Sequence, residues 1–560
     1  MDEFILTDED IQFDYRPFDI IGHTDYHPIQ SILGEDFEFV QHVRSTTSVY
    51  DSILDEEVKV PMMHVKFSPL LDPIRYVTGK YNLQDPDIRV IATKAQPNTP
   101  FAKLGSPNNA AYVDSLFCYL SNQLVHKYGF ANGIKCYGIT SGVQSKYKMN
   151  IGNDLEFIED SRFFRANIGL DDSDKAWFLV PQSSMDVLGH NPVPNNQLPR
   201  IQIDDSEDIQ LDEIEDLDEM EDLAEPQQPP VSDTESEIQE NVQLEILNQE
   251  SMEIKSNTSQ RTDISSRISI SSNEDDDENE EEDEEDVWST EDEEEEESEN
   301  VFDEEEEQEE DLFMYVRDFP VQMIFMERFD GTLDQLILRD ELTEELHFSS
   351  ALMQVVMTLL AYRRAYNFTH NDLHTSNIMY KTTNEEYLYY IFDGKTYKVP
   401  TFGRIFTIID FGRAIYEYKG HRFCSDSFSI DGDAYTQYNT EPFFNHYKPR
   451  IDPNPGFDLC RLGCSLYDLA MDGLYDTCDL NEYQKTVFRW CQDDYERNIL
   501  YKRNGNERYP NFKSYKMIAR TSHAHTPEAQ LKFPFFNQWL IDNDIDAGVA
   551  VFNIDTINSC

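Results

Sequence analysis

The spacing of hydrophobic and polar positions changes several times along the chain, and each change marks a predicted element. Between Val40 and Phe67 the apolar residues come in short β-like runs: Val40-Gln41-His42-Val43, Ser48-Val49-Tyr50, Val58-Lys59-Val60 and Met62-Met63-His64-Val65-Lys66. From Asn109 to Lys127 the spacing turns helical, with Val113, Leu116, Phe117, Leu120 and Leu124 on one stripe. Cys136-Tyr137-Gly138-Ile139 opens a further strand, and an apolar run from Phe319 to Met326 leads into Glu327-Arg328-Phe329-Asp330-Gly331. Thr343 with Glu345 starts a long helix, whose stripe is Leu352, Val355, Val356, Leu359 and Leu360 and whose end lies near Asn367. Two β-rich runs then flank Asp393-Gly394, which predicts a two-residue hairpin. Beyond them the chain reads as helical packing through Trp490 and Trp539, while residues 1–40 read as an N-terminal extension with some local order.

Charge changes the picture in one place. Residues 201–311 hold 49 acidic side chains against three basic ones (Lys255, Arg261, Arg267), a net −46 of the chain's formal −65. With few aromatics and strong self-repulsion, such a run cannot bury enough apolar surface to offset its ordering entropy, so disorder is expected. It serves either as a solubilising insert or as a tether for a basic partner. A chain of this sign does not attract nucleic-acid phosphates or an anionic membrane, so neither is expected as a partner. The eight cysteines form no C-x-x-C pair, and Cys460 and Cys464 fit as buried small hydrophobes. No signal-like segment or apolar run of about 18 residues is present, so a soluble intracellular protein is expected.

The chemistry gathers between His370 and Gly412. His370-Asn371-Asp372-Leu373-His374-Thr375-Ser376-Asn377 supplies one carboxylate and, five residues on, an amide. Asp410-Phe411-Gly412, 38 residues beyond Asp372, ends an apolar run with a second carboxylate. The set suits orienting a hydroxyl and holding Mg²⁺ by oxygen ligands.

This H-x-D-L-x-x-x-N followed by D-F-G resembles the protein-kinase-like superfamily. The resemblance implies an α+β, bilobal protein-kinase-like fold: a β-rich N-lobe over residues 41–200 and 312–333, interrupted by the acidic insert, and a helical C-lobe over 334–560 with an extra hairpin at 385–400. It implies ATP and Mg²⁺ as cofactors, Asp372 as the base that accepts a hydroxyl proton, and Asn377 and Asp410 as metal ligands. His374 stands where Ser/Thr kinases carry a lysine beside the base, and D-L-H-x-x-N also occurs in aminoglycoside-phosphotransferase-like and haspin-type relatives. Lys66 takes the place of the strand lysine on the nucleotide phosphates, with Asp114 in the position of its usual glutamate partner. Val49 follows the phosphate loop, Met326 is the gatekeeper, and Glu327 and Phe329 flank adenine. Asp458, in Asp458-Leu459-Cys460-Arg461-Leu462-Gly463, would brace the catalytic loop.

Two departures stand out. Arg44-Ser45-Thr46-Thr47-Ser48 has no glycine where the family carries G-x-G-x-x-G, and Asn371 replaces the arginine that docks a phosphorylated activation loop. As a whole the chain resembles the divergent putative serine/threonine kinases of large nucleocytoplasmic DNA viruses, which implies a protein substrate and residence in the virion or host cytoplasm. The alternatives are a pseudokinase scaffold holding basic partners, and a small-molecule kinase of the aminoglycoside-phosphotransferase type.

Overall fold

Long β-branched and aromatic runs build the first half. In the computed structural model, which describes most of residues 12–181 and 312–558, β1 is Ile20–Thr24, β2 Gln41–Ser45, β3 Ser48–Asp51, β4 Glu56–Lys59 and β5 Met63–Pro69. Helix α1 is Ala110–Tyr128, and β6 (Cys136–Asn150), β7 (Ile168–Leu170), β8 (Phe178–Val180) and β9 (Phe313–Glu327) follow. The acidic run 201–311, with the disorder expected of it, lies outside the described residues, all of which belong to one compact unit.

The main sheet is ordered β1-β6-β9-β8-β7, and β5 pairs with the C-terminal half of β9. That pairing sets Lys66 opposite Ile324, one register step from the paired Phe325 and Val65. Strands β2, β3 and β4 form a separate antiparallel sheet. Residues 20–24, read from the sequence within an extension, instead add β1 to the edge of β6. Periodicity gave no sign of this because a short edge strand has a single neighbour to satisfy.

Helix α1 starts on the Asn109 side chain, which accepts the Ala111 N–H, and stops at Gly129 in the left-handed region (φ +70°). It is buried almost all round through its first three turns, Ala111 to Asn122, so its polar residues need internal partners. Ser115 has His27 Nε2 at 3.0 Å, and Ser121 has the Tyr362 hydroxyl at 2.7 Å.

The second half is mixed α+β. It comprises β10 (Gly331–Thr332), α2 (Glu345–Tyr366), β11 (Ile378–Thr382), β12 (Tyr387–Phe392), β13 (Lys395–Pro400), β14 (Arg404–Ile408), β15 (Ile415–Tyr418) and β16 (His421–Cys424). Then come α3 (Phe457–Met471), α4 (Glu482–Trp490), α5 (Lys513–Thr521), β17 (Leu540–Ile541) and β18 (Phe552–Asn553). Asp393 (φ +53°) and Gly394 (φ +66°) turn β12 into β13, the backbone that a type I′ turn requires. The helical packing expected through Trp539 is present, and beyond it the chain lays β17 and β18 on the two edges of this hairpin. Asp555 also accepts both turn N–H groups at 2.9 Å. A two-stranded hairpin leaves both edges open, and covering them satisfies the backbone.

Helix α3 underpins the loop that follows α2. Buried Asp458 accepts the N–H groups of His370 and Asn371, each at 2.9 Å. Five residues on, Gly463 lets α4 approach: a Cβ there would lie 2.6 Å from Trp490 Cβ. Asp458→Asn keeps the shape but loses one of the two acceptors. It should cost about 1–3 kcal/mol in urea unfolding, and an unchanged midpoint would deny the brace.

Candidate active site

One cation joins three distant parts of the chain. Lys66 Nζ, on β5, lies 2.7 Å from Asp114 Oδ2 on α1 and 2.8 Å from Asp410 Oδ1 after β14. Burial works against its charge, but the two carboxylates outweigh this and raise the Lys66 pKa. Asp114 also accepts the Ser68 hydroxyl at 3.2 Å and the Phe411 N–H at 2.9 Å. A residue on α1 thereby holds both the lysine and the backbone of the Asp-Phe-Gly turn. Partial burial opposes ionisation of Asp410, and Lys66 overrides it, keeping the carboxyl well below its usual range. Asp410 sits at φ +65°, a conformation that aspartate tolerates better than most side chains. The Phe411 ring packs against Phe117 at 4.5 Å and His370 at 5.7 Å, between α1 and the loop.

The loop is pinned from several sides. His370 Nε2 meets the Ile409 carbonyl at 2.9 Å, while its Nδ1 accepts the Asp372 N–H at 3.3 Å, so a ring protonated on Nε2 satisfies both. Asn377 donates Nδ2 to the Asp372 carbonyl at 2.9 Å and to His374 Nε2 at 3.1 Å, and its own carbonyl accepts the Ile409 N–H. Burial lowers the His374 pKa against the pull of Asp372, so this ring serves as a neutral acceptor. Asp372 is buried, which disfavours its charge, but Arg413 and Arg461, with the Tyr515 hydroxyl, hold it below the usual carboxylate value.

Oxygen chemistry at this site fits Mg²⁺. Asp410 offers a carboxylate, and Asn377, which donates through Nδ2, offers Oδ1. Among the described residues no three His, Cys, Asp or Glu side chains gather to cage a metal. A cation here would be completed by phosphate oxygens and water, as Mg²⁺ commonly is.

Lys66, Asp114 and Asp410 open onto a cavity of about 140 Å³, with Met326, Phe329 and Met379 among its apolar lining. Met326 and Phe329 therefore meet the cleft. Glu327 does not line it: its Oε1 accepts the Lys135 N–H at 3.0 Å and its Oε2 pairs with Lys381 at 3.0 Å. Val49 is fully buried with Val43 and Val65 in the sheet's apolar cluster and is absent from the lining. In the turn before it, Ser45 Oγ sits 2.8 Å from Ser48 Oγ and accepts the Thr47 N–H at 3.3 Å. Those hydroxyls thus serve the turn itself.

Several partners have no counterpart in the sequence pattern. Arg413 pairs with Asp433, and Tyr438 donates to Asn371 Oδ1 at 2.8 Å. Asp426 pairs with Lys103 at 2.6 Å and accepts the Ala110 N–H at the start of α1. An acid at a helix N-terminus is favoured by the helix dipole.

Burial separates the two carboxylates on Lys66, since the side chain of Asp114 is 2% exposed and that of Asp410 is 40%. Removing one partner of a buried pair costs about 3–5 kcal/mol, against about 0–1 kcal/mol for an exposed one. In urea unfolding, Asp114→Ala should therefore lose far more stability than Asp410→Ala. The depressed pKa of Asp410 adds a sign: its contribution is complete above the unfolded value of 3.8 and is lost as the pH falls through the folded value. The gap between wild type and Asp410→Asn should narrow on acidification below 3.8; a widening gap would contradict the pairing.

No family model matches the chain. Over 116 residues it is 32% identical to serine/threonine-protein kinase haspin of Mus musculus, a stretch covering 20% of this chain and 15% of that protein. Over 81 residues it is 32% identical to the haspin of Bos taurus, covering 14% and 10% respectively. The chain thus spans 15% or less of the length of these relatives. The similarity is to protein kinases and is confined to a short stretch of both chains.

Proposed function

We propose that the chain is an ATP- and Mg²⁺-dependent phosphotransferase with a bilobal kinase-like fold, acting on serine or threonine hydroxyls of a protein. One observation carries the reading: Lys66 bridges Asp114 and Asp410, and Asp410 follows an isoleucine whose N–H is held by Asn377, in the loop of Asp372. Main-chain groups from Glu327 to Phe329 would take the adenine, with Met326 behind it and Phe329 beside it. Lys66 would turn from Asp410 towards the α- and β-phosphates, while Asp114 keeps its ammonium in place. Asn377 and Asp410 would hold Mg²⁺, which when bound neutralises phosphate charge. Asp372, ionised at neutral pH, would orient the acceptor hydroxyl and receive its proton. His374 would keep the Asn377 amide aligned.

The formal charge of −65 favours a basic protein as substrate over nucleic acid or a membrane surface. Among the described residues no helix is long and apolar enough to cross a membrane. A second reading, a scaffold that holds basic partners, draws on the turn at Ser45 to Ser48, whose hydroxyls bond one another.

A radiolabelled-ATP assay on basic and acidic proteins separates the two. Transfer should depend on Mg²⁺ and favour the basic substrates. Asp372→Ala should lower kcat roughly 10²–10⁴-fold, and Asp410→Ala should abolish the metal dependence along with the rate. Transfer by Asp372→Ala at the wild-type rate would remove the reading, and partner binding without any transfer would favour the scaffold.

A further inference from the structure

The candidate base is gripped from behind by a buried polar chain that the phosphotransfer reading leaves without a task. Tyr515, on α5, is 3% exposed, and its hydroxyl donates to Asp372 Oδ1 at 2.8 Å. The phenol oxygen accepts in turn from Arg461 Nε at 2.8 Å. Two guanidinium groups lie near the ring, with Arg461 Cζ 5.1 Å and Arg413 Cζ 5.7 Å from its centroid. Arg413 Nη1 also approaches Asp372 Oδ2, at 3.8 Å. Arg461 stands three residues beyond Asp458 on α3. One helix therefore holds the loop twice, by Asp458 on the backbone of His370 and Asn371 and by Arg461 through Tyr515 on the Asp372 side chain.

The terminal torsion of an aspartate is broad, so a fixed backbone does not by itself fix its carboxylate. A phenol that is itself aimed by a guanidinium removes that freedom. We propose that Tyr515, oriented by Arg461, is a positioning residue for phosphoryl transfer: it holds Asp372 Oδ1 and so decides where Oδ2 meets the acceptor hydroxyl. This rests on the phosphotransferase reading above, and an error of about 1 Å in placing such a group can cost about a hundredfold in rate.

Tyr515→Phe keeps the ring and removes only the hydroxyl. It should lower kcat roughly tenfold to a hundredfold, with KM for ATP and for the protein substrate unchanged. Arg461→Met should show the same loss. The double variant should be no slower than either single one, because the two groups act in series. Arg461→Lys, which can still donate to the phenol, should recover part of the rate. Crystals of Tyr515→Phe should show the Asp372 carboxylate turned from its wild-type position. A wild-type kcat, a loss confined to KM, additive losses or an unmoved carboxylate would each overturn the inference. If Tyr515→Phe does not fold, the Arg461 pair is read in the same way, in kinetics and in crystals. Absence of transfer by the wild type would overturn the phosphotransferase reading instead, and the position of the carboxylate would still decide the role of Tyr515.

Discussion

A single ammonium shared by two carboxylates is the constraint on which the rest depends. Lys66, Asp114 and Asp410 come from a strand, a helix and a loop, and their contacts at 2.7 and 2.8 Å fix those three elements against one another. The trio carries one net negative charge, which favours a cation beside it. Asp114 makes the arrangement cooperative. By accepting the Phe411 N–H as well, it ties the position of α1 to the backbone that sets the direction of Asp410.

Around this centre, charge and backbone hydrogen bonds share the work of holding the loop. Asp458 spends both oxygens on main-chain N–H groups, and burial raises its pKa despite those bonds. His370 and Asn377 then tie the loop to the residue just before Asp410. The segment after the Asp-Phe-Gly turn is fastened by side chains already present: Asp426 at the start of α1, Asp433 on Arg413, and Tyr438 on Asn371. Where an arginine would need a phosphate to pair with, Asn371 uses neutral hydrogen bonds to Tyr438 and to the Arg413 carbonyl.

Much of the local architecture was legible in the sequence because it follows from local rules. The stripe from Val113 to Leu124, read between Asn109 and Lys127, defines α1, and the stripe from Leu352 to Leu360 with Asn367 defines α2. Asp393-Gly394 specified its own turn, since both residues tolerate positive φ. The spacing of Asp372, Asn377 and Asp410 likewise announced a chemistry that needs little tertiary context to be suspected. Less was visible at Glu327, whose side chain faces Lys135 and Lys381, and at Val49, which the sheet buries away from the cleft lining.

The sequence by itself determined the helices, the strand runs and the hairpin turn, and it named the groups proposed to bind a metal or move a proton. These depend on residues within a few positions of one another, where periodicity and backbone preference act directly. Tertiary structure alone decided that Asp114 suffices where a longer acid was sought, that the first strand and the tail complete sheets, and that Tyr515 and Arg461 stand behind Asp372. Contacts between residues 143 or 344 positions apart leave no periodic trace. They are set by where packed helices and paired strands bring side chains together, and by the need of each buried charge for a partner.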